Sequence, residues 1–267
     1  MAKTKYTNTR LTVLGNRIYL DEFDKPVRFG FKQKNPTRGK RDKDKLVDED
    51  ACVRRSRKLF RDLVTCNAFQ YRNEKDRIIP PVYITFTFAE NVQDLGLANK
   101  EFNKFIKRYS YLADTKLMYQ SSIEKQKRGA IHYHALFYNL PFIPDIKEST
   151  ENCWRQGYIF ANTPKDINKI TNYLLKYIQK EFSLNHIKNK RRFLSSKGLK
   201  RPISFLDEND ISNALKILPA PVAIQDVEFT DHEGRTVQRT ILDLAPDSNF
   251  SDRLPQDTET LARRYLS

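Results

Sequence analysis

Apolar and polar positions alternate most cleanly between Ile78 and Phe88. Behind Pro80-Pro81, Val82, Ile84, Phe86 and Phe88 interleave with Tyr83, Thr85 and Thr87. That period of two predicts a strand with one apolar face and one moderately polar face. Over residues 97–112 the period changes: Leu97, Phe102, Phe105, Ile106 and Tyr109 recur at helical spacing. A strand is expected from Lys116 to about Glu124. Glu124-Lys125-Gln126-Lys127-Arg128-Gly129 reads as a hairpin turn, and Ala130 to Tyr138 as the returning strand. Trp154 to Ala161 reads as another strand. Thr163-Pro164-Lys165-Asp166 then has the marks of a helix start, with a threonine cap, proline at the first position and an acid at the third. That helix is expected to reach about Phe182.

The flanks are less regular. Residues 1–50 are polar and basic with scattered β-like patches, and Lys32 to Lys45 reads as a basic loop. Residues 51–71 form an expected helix, with Val53, Leu59, Phe60, Leu63 and Val64 set among arginines. Those arginines suit a solvated face or a phosphate-contacting face equally. Residues 188–201 read as a basic loop; beyond Leu206 a short helix and a hairpin around Glu233-Gly234 are expected. No internal repeat is visible. The order strand, helix, strand, hairpin, strand, strand, helix predicts an α+β fold with a mainly antiparallel sheet and flanking helices, not a doubly wound parallel one. The expected organisation is a basic arm and helix over 1–75, a core over 76–205 and a C-terminal extension with an acidic tail over 206–267.

Charge narrows the choice of partner. The 267 residues carry a net charge of +15, with 39% hydrophobic and 12% aromatic residues. That is enough apolar material for a core. From Pro221 to Ser267 there are five Lys/Arg against nine Asp/Glu, so the basic excess lies in the first 220 residues. Such a surface favours a polyanion, because neutralising phosphates releases counterions. No run reaches the ~18 apolar residues of a membrane span, and no secretory signal follows Met1. Cys52, Cys66 and Cys153 are scattered, which fits a reducing, cytoplasmic setting rather than a disulfide frame or zinc ribbon. No phosphate-binding loop of the G-x-x-x-x-G-K-[ST] kind is present, and no small-molecule substrate is evident.

The candidate chemistry sits in two places. His132 and His134 lie two apart in an expected strand, so both imidazoles share a face, while Ile131, Tyr133, Ala135 and Phe137 take the other. Two nitrogens on one face could hold one cation. Glu124, at the end of the preceding strand, is the best oxygen ligand to complete the set, and Gln126 a weaker substitute. In the helix expected after Pro164, Ile167, Ile170, Leu174 and Ile178 define a core stripe. Tyr177 lies roughly 60° from the centre of that stripe and Tyr173 roughly 100°. Tyr173 is thus the boundary residue, freer to reach a substrate. A phenol ionises near pH 10, so it attacks a phosphate only if the phosphate is polarised or the phenolate stabilised. A divalent ion on the phosphate would do the first; Lys176 could do the second.

These residues resemble the HUH superfamily of single-stranded DNA endonucleases, and more closely the rolling-circle replication initiators of small phages and plasmids. Tyr83-Ile84-Thr85-Phe86-Thr87-Phe88 resembles the first motif. Gly129-Ala130-Ile131-His132-Tyr133-His134-Ala135-Leu136-Phe137 resembles the metal-binding motif, with Tyr133 where many members carry an apolar residue. Tyr173-Leu174-Leu175-Lys176-Tyr177 resembles the nucleophile motif, and Ser196-Lys197-Gly198-Leu199-Lys200-Arg201-Pro202 a downstream segment. The likeness spans about residues 54–202. It implies a five-stranded antiparallel, RRM-like sheet, use of Mg²⁺ or Mn²⁺, and Tyr173 in the nucleophile position.

The expectation is therefore a replication initiator that nicks single-stranded origin DNA. Tyr173 would attack phosphorus to form a 5′-phosphotyrosine and free a 3′-hydroxyl, and Tyr177 could serve a second transfer. Lys188, Lys190, Arg191, Arg192, Lys197, Lys200 and Arg201, with no acid among them in 188–201, would grip the DNA backbone. Host replication proteins are expected partners. Two rival readings stand beside it. One is a transposase or mobilisation relaxase of the same superfamily. The other is a non-enzymatic RRM-like module in which Tyr83, Phe86 and Tyr133 stack on bases or fill the core.

Overall fold

A computed structural model describes residues 5–29, 49–166, 193–231, 233–245, 248 and 250–254. Among them, ten strands form two antiparallel five-stranded sheets, and five helices accompany them. The fold is α+β. The chain divides into two compact units, one from Asp48–Lys200 and one from the N-terminal segment with Arg201–Ser267.

In the central unit, α1 spans Glu49–Asn67, β3 Val82–Thr87, α2 Leu95–Leu112, β4 Tyr119–Lys125, β5 Ile131–Phe137, α3 Ile146–Trp154, β6 Ile159–Asn162 and β7 Phe193–Ser195. Strand order is β6-β3-β5-β4-β7. The alternation read from Val82 to Phe88 sets the layers. Ile84, Phe86 and Phe88 turn inward with Ile131, Tyr133, Ala135 and Phe137 of β5, and meet Phe102, Phe105 and Tyr109 of α2 and Trp154 of α3. Phe86 is ringed by aromatic edges and faces, with its centroid 4.6 Å from that of Phe105 and 5.2 Å from that of Trp154. Such contacts add directional packing to apolar burial. Asp94 caps α2 by accepting the Leu97 amide at 2.6 Å. On the other face, Phe60, Leu63 and Val64 of α1 pack on Tyr83, Leu136 and Tyr138, with Leu199 alongside. Asn67 closes α1: its amide group donates to the Leu63 and Lys200 carbonyls and its Oδ1 accepts the Lys200 amide at 2.9 Å.

The other unit contains β1 (Lys5–Leu14), β2 (Arg17–Phe29), β8 (Ile203–Phe205), α4 (Glu208–Lys216), β9 (Ala223–Thr230), β10 (Thr236–Asp243) and α5 (Phe250–Arg253), in the strand order β8-β1-β2-β10-β9. Leu11, Val13, Ile18, Phe205 and Leu242 form its apolar face under Ile211 and Ala214 of α4 and Phe250 of α5. Register puts Arg10 opposite Asp21 and Arg239 opposite Asp21 on the other face. Asp21 is fully buried between the two guanidiniums, at 2.5 Å from Arg10 and 2.6 Å from Arg239. Burial alone would push its carboxyl pKa up; the hydrogen bonds from Arg239 and the charge of Arg10 outweigh that and hold it below the usual value.

Several sequence expectations need correction. Trp154 to Ala161 is not one strand: Trp154 ends α3, and the strand starts only at Ile159. The indole explains the difference, since it is fully buried in the core and its N–H donates to the Thr87 carbonyl. Residues 163–166 carry no helix, so the cap signature there does not open one within the described residues. The N-terminal β-like patches are two long paired strands. The rest of the expected helix over 163–182 and the Lys32–Lys45 loop lie outside the described residues.

Candidate metal centre

The hairpin of β4 and β5 builds the site. Its turn closes through the Gln126 amide to the Ala130 carbonyl and the Gly129 amide to the Gln126 carbonyl. Gly129 has φ +87°, a left-handed value that a residue without Cβ adopts at no steric cost. The turn fixes a register in which Glu124 faces His132 and Ser122 faces His134. Across β5 on the other side, Thr87 faces His132 and Thr85 faces His134. Directly opposed residues point to the same face. Two rows result: Glu124, His132, Thr87, then Ser122, His134, Thr85.

These rows bring three ligand-type groups together. The ring atoms nearest the Glu124 carboxylate are His134 Nε2, at 3.0 Å from Oε2, and His132 Nδ1, at 3.8 Å. The two imidazole centroids are 4.7 Å apart. Glu124, His132 and His134 form a group that could hold a metal ion. Gln126 stands 3.4 Å from His132 Nδ1, at the rim of the same group. The site is shielded: His134 is 3% exposed, and the Glu124 and His132 side chains 16% and 13%. Burial lowers the pKa of His134 most, His132 lowers it further, and the Glu124 hydrogen bond works against both; the net shift is downward. That favours the neutral imidazole, the form with a lone pair to give a cation.

Sequence reasoning did not single out the hydroxyls behind the histidines. Tyr83 Oη lies 2.7 Å from His134 Nδ1 and accepts a hydrogen bond from the Thr85 hydroxyl at 2.8 Å. Thr87 Oγ1 lies 2.7 Å from His132 Nε2. Groups of this kind fix ring orientation and tautomer. In one tautomer, His134 Nε2–H donates to Glu124 while Nδ1 accepts from Tyr83. With Nε2 given to a cation, the proton sits on Nδ1 and Tyr83 accepts it. A phenol does both, so the pocket suits either state. The signal was present in the alternation: Tyr83, Thr85 and Thr87 occupy the polar face of β3, which β5 shares. The donor set of two imidazoles and a carboxylate, one ring backed by a switchable hydroxyl, fits a divalent cation.

The other expected residues divide by position. Tyr173, Lys176, Tyr177, Lys188, Lys190, Arg191 and Arg192 lie outside the described residues. Lys197 is exposed beyond β7, Lys200 is half-buried with its backbone tied to Asn67, and Arg201 is exposed. β6 and β7 are the outer strands of the triad-bearing sheet, and the segment carrying Tyr173 joins them. Tyr83, Phe86 and Tyr133, the aromatics that an RRM-like stacking module would use, are all buried. They serve the core and the histidine pocket.

Residues 81–182 match the model of a family described as Replication-associated protein, of the ORF2 type. The match begins just before β3, takes in the whole triad and runs past Tyr177. No curated protein matches the chain. A family of replication-associated proteins implies interaction with nucleic acid, and the basic charge agrees with it. No described helix is long and apolar enough to cross a membrane.

Proposed function

We propose that this protein initiates replication by nicking single-stranded origin DNA and rejoining it. The observation that carries the reading is the shielded Glu124–His132–His134 group inside the segment that matches the replication-associated family. Mg²⁺ or Mn²⁺ would be held by those three side chains, with Gln126 at the margin. When bound, the ion supplies charge to the non-bridging oxygens of a phosphate. The chain's own residues do the rest. His132 and His134 are oriented by Thr87 and Tyr83. Tyr173 attacks phosphorus: the phenolic oxygen–phosphorus bond forms, the bond to the 3′-oxygen breaks, and the 3′-hydroxyl leaves. Lys176 stabilises the phenolate or the crowded phosphate. Tyr177 serves the return transfer. Lys188, Lys190, Arg191, Arg192, Lys197, Lys200 and Arg201 neutralise the DNA backbone.

The test is covalent. Labelled single-stranded origin DNA is incubated with the protein and Mn²⁺, then run under denaturing conditions. A protein–DNA adduct is expected, abolished by Tyr173→Phe and by EDTA. A full adduct from Tyr173→Phe would move the nucleophile elsewhere, with Tyr177→Phe the next variant. Binding that survives EDTA with no adduct under any condition would support the non-enzymatic module instead.

A further inference from the structure

Two aromatic side chains stand where an apolar core has no use for them. Tyr158 is 74% exposed and Phe160 61%, although both belong to the edge of the sheet that carries the triad. The β3–β6 register sets their direction. Ile159 and Ala161 face Phe86 and Ile84 on the core side. Phe160 faces Thr85, which puts it on the histidine side, as the fourth member of the row Ser122, His134, Thr85. The Thr87 amide donates to the Tyr158 carbonyl, so Tyr158 extends the other row, beyond Glu124, His132 and Thr87. Two interstrand spacings separate this edge from the histidine strand, roughly 10 Å.

The edge is held in place. The Ala89 amide donates to the Gln156 carbonyl at 2.8 Å. Gly157, at φ +150°, lies so close to β3 that a Cβ would fall against the Thr87 carbonyl oxygen and the Ala89 nitrogen. The surroundings are basic: Arg155 is exposed beside the turn, and exposed Arg128 donates to the Phe88 carbonyl at 2.7 Å at the end of β3. Rigid exposed rings flanked by guanidiniums are a platform for unpaired bases and their phosphates. Duplex DNA keeps its base faces stacked on each other, so it cannot use such rings.

We infer that Tyr158 and Phe160 form a base-stacking platform for single-stranded DNA, seating the nucleotides beside the phosphate presented to the Glu124–His132–His134 group. This rests on the reading of the chain as a protein that acts on single-stranded DNA. Stacking one base on one ring is worth enough to weaken binding by roughly tenfold when the ring is removed.

The experiment measures fluorescence anisotropy of a labelled single-stranded origin oligonucleotide in EDTA, so that binding is read without the metal. Tyr158→Ala and Phe160→Ala are each expected to weaken binding by about tenfold and the double variant by about a hundredfold. Phe160→Trp is expected to restore it, and duplex affinity to stay unchanged. Both positions are exposed, and circular dichroism checks that the variants fold. A double variant that binds single strands within twofold of wild type overturns the inference. So does a double variant that changes only the oligomeric state, which would assign the rings to a second copy of the chain. The two readings separate cleanly. A wild type that binds through the rings but never forms a tyrosine adduct overturns the nicking reading alone. Adduct formation with unchanged affinity in the double variant overturns the platform alone.

Discussion

The two sheets of this protein share a plan and differ in what their polar faces do. Each has five antiparallel strands and one face packed under helices. In the sheet built from the chain ends, the opposite face is closed by matched charges. Arg10 and Arg239 grip Asp21, Arg17 pairs with Asp243, and the Arg239 guanidinium lies over Tyr19 and Phe229. In the central sheet, two imidazoles and a carboxylate converge, with hydroxyls behind them. Opposite charges locked together stabilise a fold and leave little for a ligand. Converging lone pairs are costly to bury, and a cation offsets that cost. The first face is built for structure and the second for chemistry.

Breaking the first face should cost stability and spare the site. Asp21→Asn leaves two guanidiniums without their shared anion. A loss of about 3 kcal/mol is expected, toward the low end for a broken buried pair because both arginines are partly exposed. Urea unfolding of the full chain measures it, and Mn²⁺ affinity should not move. A loss under about 0.5 kcal/mol would mean that Asp21 is not the keystone of that face.

The same carboxylate sets an acid limit. Its folded pKa lies below its unfolded value, which for an aspartate is about 3.9. The unfolded state therefore binds the proton first. The stabilisation is fully present above pH ~4 and is lost as pH falls through the lower folded value. Unfolding followed from pH 7 to pH 2 should show that loss in wild type and a flatter profile in Asp21→Asn. Equal slopes would mean that Asp21 plays no part in acid unfolding.

Breaking the second face should do the reverse. Tyr83→Phe deletes the hydroxyl that orients His134 and is expected to weaken Mn²⁺ binding by about tenfold. The cost in stability should be no more than about 1 kcal/mol. Titration calorimetry beside unfolding separates the two. A variant that loses stability and keeps its metal affinity would make Tyr83 a core residue only.

Much of the central sheet could be read from the sequence because its alternation is strict. Val82 to Phe88 and Ile131 to Phe137 each display one apolar face, so the shared direction of His132 and His134 followed from period alone. The turn at Gly129 then made Glu124 the natural third ligand. What stayed hidden depends on contacts between distant segments. Trp154 looks strand-like among Tyr158, Ile159 and Phe160, but the partner that decides its role is the Thr87 carbonyl. The pairing of Arg10 with Arg239 through Asp21 spans most of the chain, and no local period announces it. Tyr83 read as part of a polar face; only the β3–β5 register shows which imidazole it meets.

Ser122 gives the smallest contrast. It faces His134, and its hydroxyl is buried without a hydrogen-bond partner among the described residues. Ser122→Ala removes a desolvated polar group and should raise stability by up to about 1 kcal/mol, with Mn²⁺ affinity unchanged. A fall in Mn²⁺ affinity would place that hydroxyl in the site.

Everything proposed for the site depends on Glu124, His132 and His134 holding one divalent cation. Pulsed electron paramagnetic resonance of Mn²⁺ added to the full-length protein reads nitrogen coupling directly. One bound Mn²⁺ per chain is expected, with two coupled imidazole nitrogens in wild type and one in each of His132→Ala and His134→Ala. A Mn²⁺ signal without nitrogen coupling, or coupling unchanged in both variants, would refute the assignment.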